Sequence, residues 1–223
     1  MKQEKNECTT IYLVRHGETE ANRTMRIQGH GDSPLSVRGE SQAKERMEKM
    51  RSIHVDHAYS SDLLRAKRTA EILVSNRNIP LSTTPSLRER GFGSYEGRLI
   101  GEFLDEHAEF MDAFDRANDE ERWQFQLLGG IETDGNVRDR AFAFLHDRVT
   151  VHAGKTILCV SHAGAMRIIL LHLGWGTHEE MPWGTMENCA MIRLEFDGKD
   201  FTVCQVDGVE KLSERIPPKH VIL

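Results

Sequence analysis

At 223 residues the chain is long enough to bury a proper core, and length alone allows one or two domains. Its formal net charge of −6 argues against a general nucleic-acid binder, because such proteins present a net basic footprint to the phosphate backbone. The opening segment Met1-Lys2-Gln3-Glu4-Lys5-Asn6-Glu7 is charged and no window approaches the length that crosses a bilayer, so a cytoplasmic protein without a membrane partner is expected.

The first element is a strand over 10–15. The run Thr9-Thr10-Ile11-Tyr12-Leu13-Val14 is apolar and β-branched and stops at Arg15-His16-Gly17, so Arg15 and His16 are placed at the strand's carboxyl end, with the glycine as the exit turn. In open α/β sheets that edge is where ligands bind. A guanidinium beside an imidazole there suits an anion held in the Arg fork while the His attacks. An isolated triplet of this kind also serves as a helix cap or a surface pair. A helical period follows over 36–50, then a strand over 55–60 and a helix over 62–77. Between the last two, Ser60-Ser61-Asp62 reads as a helix amino terminus, whose amides and dipole favour an anion. Arg65 lies about one turn inside it, where an arginine is commonly solvated surface, and Arg68 is expected on the surface.

A strand near 81–84 leads into the glycine-punctuated loop Ser86-Leu87-Arg88-Glu89-Arg90-Gly91-Phe92-Gly93-Ser94-Tyr95-Glu96-Gly97. Glu89 has two readings: a proton donor to a leaving alcohol from a partly apolar setting, or a surface partner of Arg88 or Arg90. The stretch 98–130, with a helix over 98–117, is rich in charge and aromatics (Phe103, Phe110, Phe114, Trp123, Phe125) and interrupts the alternation of strands and helices. It reads as a helical insertion, either a lid over a site or an extra pair of core-packing helices.

A helix over 136–152 precedes a strand over 155–161 that ends at Ser161-His162-Ala163-Gly164, small residues that let backbone approach a ligand. A helix over 163–173 and two strands, 189–196 and 201–206, close the chain; Asp197-Gly198-Lys199-Asp200 between the strands reads as a hairpin turn. The whole pattern predicts an α/β fold: three α/β/α layers, a mostly parallel mixed central sheet, and a single domain over 1–223 with the insertion near its site. Parallel strands place their carboxyl ends on one side, so His16 and His162 are expected to face one phosphoryl group together. Cys8, Cys159, Cys189 and Cys204 form no C-x-x-C pair and are expected as reduced thiols.

These pieces, in this order, resemble the histidine phosphatase superfamily, also called phosphoglycerate-mutase-like. The resemblance is carried by Arg15-His16-Gly17-Glu18-Thr19, Asn22, Gln28-Gly29, Asp32-x-Pro34-Leu35, Gly39 with Gln42-Ala43, and Ser60-Ser61-Asp62 with Arg65-Ala66 and Thr69-Ala70. It continues through Glu89 with Phe92-Gly93 and Glu96-Gly97 to Ser161-His162-Ala163-Gly164. It implies that His16 is the nucleophile that becomes phosphohistidine, with Arg15, Arg65 and His162 in the phosphate pocket. Glu89 is implied as proton donor and then as base for water. Asn22 and Gln28 with Gly29 match further pocket positions, and the amide of Ala163 adds a phosphate contact. No metal and no cofactor is implied, and the partner is a small-molecule phosphate ester. His162 is expected as the cationic partner of a developing oxyanion, and the attacking nitrogen of His16 is not legible.

Within the family, Ala21-Asn22 and Gln28-Gly29-His30 stand where mutases typically carry Trp-Asn and Thr-Gly-Trp, and Asp115-Arg116-Ala117-Asn118 replaces their Arg-Arg-Ser stretch. A metal-independent phosphomonoesterase is therefore implied ahead of a cofactor-dependent phosphoglycerate mutase. An inactive binding or scaffold protein would normally lack the nucleophile, an arginine or the donor, and all are present. The family's Gly-Gly-Glu-Ser loop appears as Gly129-Gly130-Ile131-Glu132-Thr133 with an inserted Ile, which leaves Glu132 and Thr133 without an assigned role.

Overall fold

A strand covered on both faces reads as a continuous apolar run, and the two central strands have that character. In the computed structural model, which describes residues 8–126 and 130–212, β1 (Thr9–Arg15) pairs in parallel with β4 (Thr156–Ser161) at the centre of a six-stranded sheet. The charged segment 1–7 and Gly129 of the Gly-Gly loop lie outside the described residues. The sheet order is β3-β2-β4-β1-β5-β6, with β2 (His57–Ser61) and β3 (Leu81–Thr84) continuing the parallel part. β5 (Met186–Phe196) and β6 (Phe201–Val209) form the expected antiparallel hairpin at the other edge.

Alternate residues of the central strands enter two separate cores. Ile11, Leu13, Ile157 and Cys159 pack with α7 (Asp134–Val151) and α8 (Ala163–His172) through Leu145, Val149, Met166 and Ile169. Tyr12, Val14, Leu158 and Val160 pack with α2 (Val37–Lys49) and α3 (Leu64–Val74) through Met47, Ala66, Ala70 and Leu73. The result is the predicted mixed, mostly parallel α/β sheet with helices on both faces. Leu13 and Ile157 are each 0 % exposed, and full burial of such a side chain stabilises the fold by about 1.5–3 kcal/mol.

Some boundaries differ from the expectation. The single helix over 98–117 is divided at His107 into α4 (Ile100–Glu106) and α5 (Ala108–Arg116), and α6 (Asp119–Gln124) follows. A short helix, α1 (Glu20–Arg23), was not anticipated; it forms because Thr19 and Asn22 make a reciprocal capping box. β5 starts at Met186, three residues early, and a register shift between Met186 and Met191 accommodates Cys189 at φ 57°. The insertion has its own apolar cluster, in which Ile100 and Phe103 join Ile27, Phe92 and Ile131, with Trp183 packed against it. This cluster sits beside the carboxyl ends of the strands. Cys159 and Cys189 are buried, Cys8 and Cys204 exposed, and all are free thiols. Among the described residues no helix is long and apolar enough to cross a membrane.

Candidate active site

The strand register brings the two histidines together. Arg15 is opposite Ser161 in the β1–β4 ladder, and the His16 N–H donates to the Ser161 carbonyl at 3.1 Å, so each histidine follows the last residue of its own strand at the same level of the sheet. Their rings lie edge to face with centroids 5.0 Å apart. The His16 backbone is held from the other side by β5, where the Cys189 N–H (3.3 Å) and Asn188 Nδ2 (3.2 Å) both donate to its carbonyl.

Hydrogen bonds assign the tautomers. His16 Nδ1 is 2.7 Å from the Gly17 carbonyl, which can only accept, so Nδ1 carries the hydrogen and Nε2 keeps its lone pair. Burial first, then the Arg65 and Arg15 charges, holds His16 well below the ordinary imidazole range, which leaves it neutral and nucleophilic. Arg65 Nε donates to His162 Nδ1 at 3.2 Å, so His162 presents Nε2–H toward its surroundings. Burial, followed by the Arg65 charge, also pushes His162 well below its usual value. The expectation of a cationic His162 is therefore corrected: the site holds a neutral imidazole acting as a donor, because a guanidinium already occupies its other nitrogen.

Arg65 is 1 % exposed, which overturns its ordinary surface fate, whereas Arg68 is on the surface as expected. Besides His162, Arg65 grips the loop after α1 through the Gly31 carbonyl (2.8 Å, Nη1) and the Gly29 carbonyl (2.7 Å, Nη2). Burial lowers its pKa to about 10. Gly29 has φ +50°, and a Cβ there would lie 2.2 Å from Glu96 Oε1, so the turn that offers its carbonyl to Arg65 requires glycine. The Ser60-Ser61-Asp62 reading is corrected as well. Leu63 is the N-cap of α3 and has no side-chain capping bond, the Leu64 amide is taken by Asp32 (3.0 Å), and Asp62 pairs with Arg88. At the amino terminus of α3 the Leu64 amide is thus taken by the chain's own carboxylate.

Arg15 donates through Nη1 to the Met186 carbonyl, and its Nε is buried without a hydrogen-bond partner. His162 Nε2 is in the same condition. Asn22 Oδ1 and Gln28 Oε1 both point at Thr19, the former 3.1 Å from the Thr19 N–H, so their amide NH2 ends remain for the cleft. Arg15, His16, Asn22, Gln28, Gly29, Arg65, Glu89 and Ala163 all line one cleft. His162 is 0 % exposed and its ring meets that of His16 edge to face.

Glu89 does not pair with either flanking arginine side chain. Arg88 goes to Asp62 and Arg90 goes to Asp134, while the Glu89 carboxyl accepts from the Gly164 N–H (3.0 Å) and the Ala165 N–H (3.2 Å) in the first turn of α8. The Gly164 and Ala165 amides of α8 are thus taken by the candidate proton donor, an arrangement favoured by the helix dipole. A Cβ on Gly164 would meet Glu89 Oε1 at 2.4 Å, so glycine is needed for this approach.

Several residues of the site carry no local sequence signal. Arg140, half-buried on α7, donates to the carbonyls of Ser86 (2.9 Å), Arg88 (2.8 Å) and Glu89 (2.9 Å) and pairs with Glu132 at 2.8 Å. Glu132 in turn accepts from the Gly91 N–H at 3.1 Å, and Thr133 caps α7 through the Asn136 N–H. These contacts give Glu132 and Thr133 structural roles: one fastens the Glu89 loop, the other starts a helix. Asn188, Cys189 and Arg140 lie far from the motifs in sequence, and only the fold brings them in.

A neutral imidazole, unpaired buried N–H donors, two guanidiniums and a carboxyl around one cleft at the carboxyl edge of an α/β sheet define an anion-binding enzyme site suited to phosphoryl chemistry. The chain belongs to the histidine phosphatase superfamily, branch 1, whose family model matches residues 11–207. It is 35 % identical over 196 residues to the probable phosphoglycerate mutase GpmB of Salmonella choleraesuis (strain SC-B67), covering 83 % of this chain and 84 % of the relative. Among solved structures it is similar to Bacillus stearothermophilus YhfR, with TM-score 0.79 and 30 % identity over 90 % of this chain and 97 % of that one. It is also similar to a mutant phosphoserine phosphatase from Entamoeba histolytica in complex with phosphoserine, with TM-score 0.71 and 25 % identity over 89 % and 96 % of the respective chains. Phosphatases and mutases thus both stand among its relatives.

Proposed function

We propose that this protein is a phosphomonoesterase that hydrolyses small phosphate esters through a phosphohistidine on His16, working as one catalytic unit with residues 100–124 beside the cleft. The observation that carries this reading is the pair of buried, unpaired donors, Arg15 Nε and His162 Nε2, next to a neutral imidazole. Buried donors without acceptors are costly, and a tetrahedral oxyanion supplies the acceptors.

His16 Nε2 attacks phosphorus as the ester P–O bond breaks, and Glu89 delivers a proton to the leaving oxygen. Arg15, Arg65 and the Nε2–H of His162 hold the equatorial oxygens, where the charge of the transferring group is spread. Water then attacks the phosphorus of phosphohistidine, Glu89 takes a proton from it, and the P–N bond breaks to restore His16 and release phosphate. Among the described residues no group of three or more His, Cys, Asp or Glu is placed to hold a metal ion.

The second reading is a mutase, favoured by the name of the GpmB relative. The residues at 21–30 and 115–118 favour hydrolysis, since they depart from the mutase pattern. The deciding experiment measures phosphate release from a panel of esters in the presence of a chelator, beside an isomerisation assay with 2,3-bisphosphoglycerate. We expect release by the wild-type protein and none by His16→Ala. Full activity of His16→Ala would falsify the mechanism, and isomerisation exceeding release would favour the mutase.

A further inference from the structure

The segment of β5 that bonds to the His16 backbone holds one residue in a conformation its side chain disfavours. Cys189 lies at φ 57° within the register shift between Met186 and Met191. In that left-handed region a Cβ crowds the following carbonyl, which lowers the population of a non-glycine residue by roughly 5- to 30-fold. Strain of this kind persists only where the surroundings over-determine it, and it collects at functional sites.

The kink serves two residues of the site at once. Met186 at its start accepts from Arg15 Nη1, while Asn188 Nδ2 and the Cys189 N–H converge on the His16 carbonyl at 3.2 and 3.3 Å. On its other side stands Arg46, 8 % exposed in the last turn of α2. Its Nε donates to the Cys189 carbonyl at 2.8 Å and its Nη1 to Asp207 Oδ2 at 2.6 Å, with Asp207 opposite Met191 on β6. The guanidinium thus ties α2 and β6 to the kinked residue. Cys189 itself is 4 % exposed, packed with Ala43 of α2 and Ile72 of α3. A pair with Asp207 alone needs no such burial of Arg46, because that carboxylate is half exposed and exposed pairs contribute little. The inward Nε bond to Cys189 is what the burial secures, and a charged donor makes it a strong one.

We propose that Arg46 is a positioning residue for His16: its Nε–H keeps Cys189 left-handed, and that conformation keeps the Asn188 and Cys189 donors on the His16 carbonyl. This role rests on His16 as the nucleophile of the phosphomonoesterase and lies outside the cleft, since neither Arg46 nor Cys189 lines it. The carbonyl so held precedes by one residue the Gly17 carbonyl that meets His16 Nδ1, so the same stretch of backbone aims Nε2 at phosphorus. Without Arg46 the Cys189 carbonyl loses its donor, the residue relaxes out of the left-handed region, and the two donors leave His16.

A rescue experiment separates this role from a merely structural one. Arg46→Met, which keeps an apolar stem and removes the donor, is compared with the double variants Arg46→Met/Cys189→Gly and Arg46→Met/Cys189→Ala. Glycine adopts positive φ without the steric cost, whereas alanine removes the same thiol and keeps the cost. Rates are read where circular dichroism shows each protein fully folded, so stability alone does not move them. kcat/KM for phosphate release should fall ~5- to 30-fold in Arg46→Met, the population factor of the left-handed region. In the glycine double variant it should recover by at least ~3-fold, and in the alanine one it should stay down.

Wild-type kcat/KM in Arg46→Met overturns the role, and so does a glycine double variant no faster than Arg46→Met. Equal recovery with glycine and alanine overturns it too, because the cause is then the missing thiol and not the backbone. If Arg46→Met does not fold, Arg46→Lys takes its place under the same expectations, since a lysine that reaches Asp207 cannot also donate to the Cys189 carbonyl. Phosphate release by the wild-type protein, with His16→Ala inactive and Arg46→Met unaffected, defeats this role alone. If the wild-type protein releases phosphate from no ester, the phosphomonoesterase reading fails with it.

Discussion

Folding removes His16 and His162 from water in their neutral forms, and the cause is the same for both: burial, reinforced by the Arg65 charge. Their folded pKa values lie below the unfolded value of about 6.5, so the unfolded chain binds more protons between those limits. The stability present above pH 6.5 is therefore lost as pH falls through 6.5 toward the lowered folded values. His57, His152 and His172, shifted in the same direction by burial, add to the trend. Each neutral-buried histidine contributes a limiting slope of about 1.4 kcal/mol per pH unit. The unfolding free energy in urea should thus decline between pH 7 and pH 5.5, and His162→Gln should flatten that decline by up to about this slope. An unchanged slope would show that His162 is not neutral in the folded protein. Arg65→Lys keeps the charge but cannot reach His162 Nδ1 and the carbonyls of Gly29 and Gly31 together. Arg65 also lines the cleft, and misplacing one charge-assisted bond from it to the transferring group corresponds to a drop in kcat/KM of about 10- to 100-fold, read from phosphate release.

Between elements, the position of Glu89 depends on two helices that hold its loop from opposite ends. α8 offers the Gly164 and Ala165 amides to the carboxyl, and α7 offers Arg140 to the loop carbonyls. Gly164→Ala places a methyl 2.4 Å from Glu89 Oε1 and should displace the carboxyl without unfolding the core. Arg140→Met removes the clamp from a distance. Both variants should lose kcat/KM chiefly on alkyl esters, whose leaving oxygen needs a proton in the phosphorylation step, and much less on p-nitrophenyl phosphate, whose leaving group does not. A merely structural defect would slow both classes alike, so the leaving-group dependence separates the two explanations. At this scale the strand ends at Arg15 and Ser161 were legible because β-branched runs that stop at polar residues have few other fates. The division of 98–117 was not legible: a helical period is continuous in hydrophobicity, whereas the break at His107 separates Phe103, whose ring meets Tyr95 and His107, from Phe114, whose ring meets Phe125 and Trp183.

Over the whole molecule, the sheet is a platform whose two cores fix the height and spacing of the strand ends. Leu13 belongs to the α7–α8 core, and its Ala variant should cost about 2–5 kcal/mol in chemical denaturation, because a close-packed core relaxes only partly around a cavity. A loss near zero would mean that this side of the sheet is not the packed layer described here. The overall charge of −6 coexists with a cleft lined by Arg15, Arg26, Arg65, Arg90 and Arg167, so the net balance that argues against nucleic acid says little about the local field.

Chain order and residue type were sufficient for the α/β class, for the two histidines at parallel strand ends, and for the family, since each depends on short-range pattern or on motifs contiguous in the sequence. Tertiary structure decided the rest. The neutral state of His162, the burial of Arg65, the capture of Glu89 by α8 and the bond from Arg46 to Cys189 all arise between residues far apart in the chain. Electrostatics and burial depend on distance in space, and for these groups only the folded sheet sets that distance.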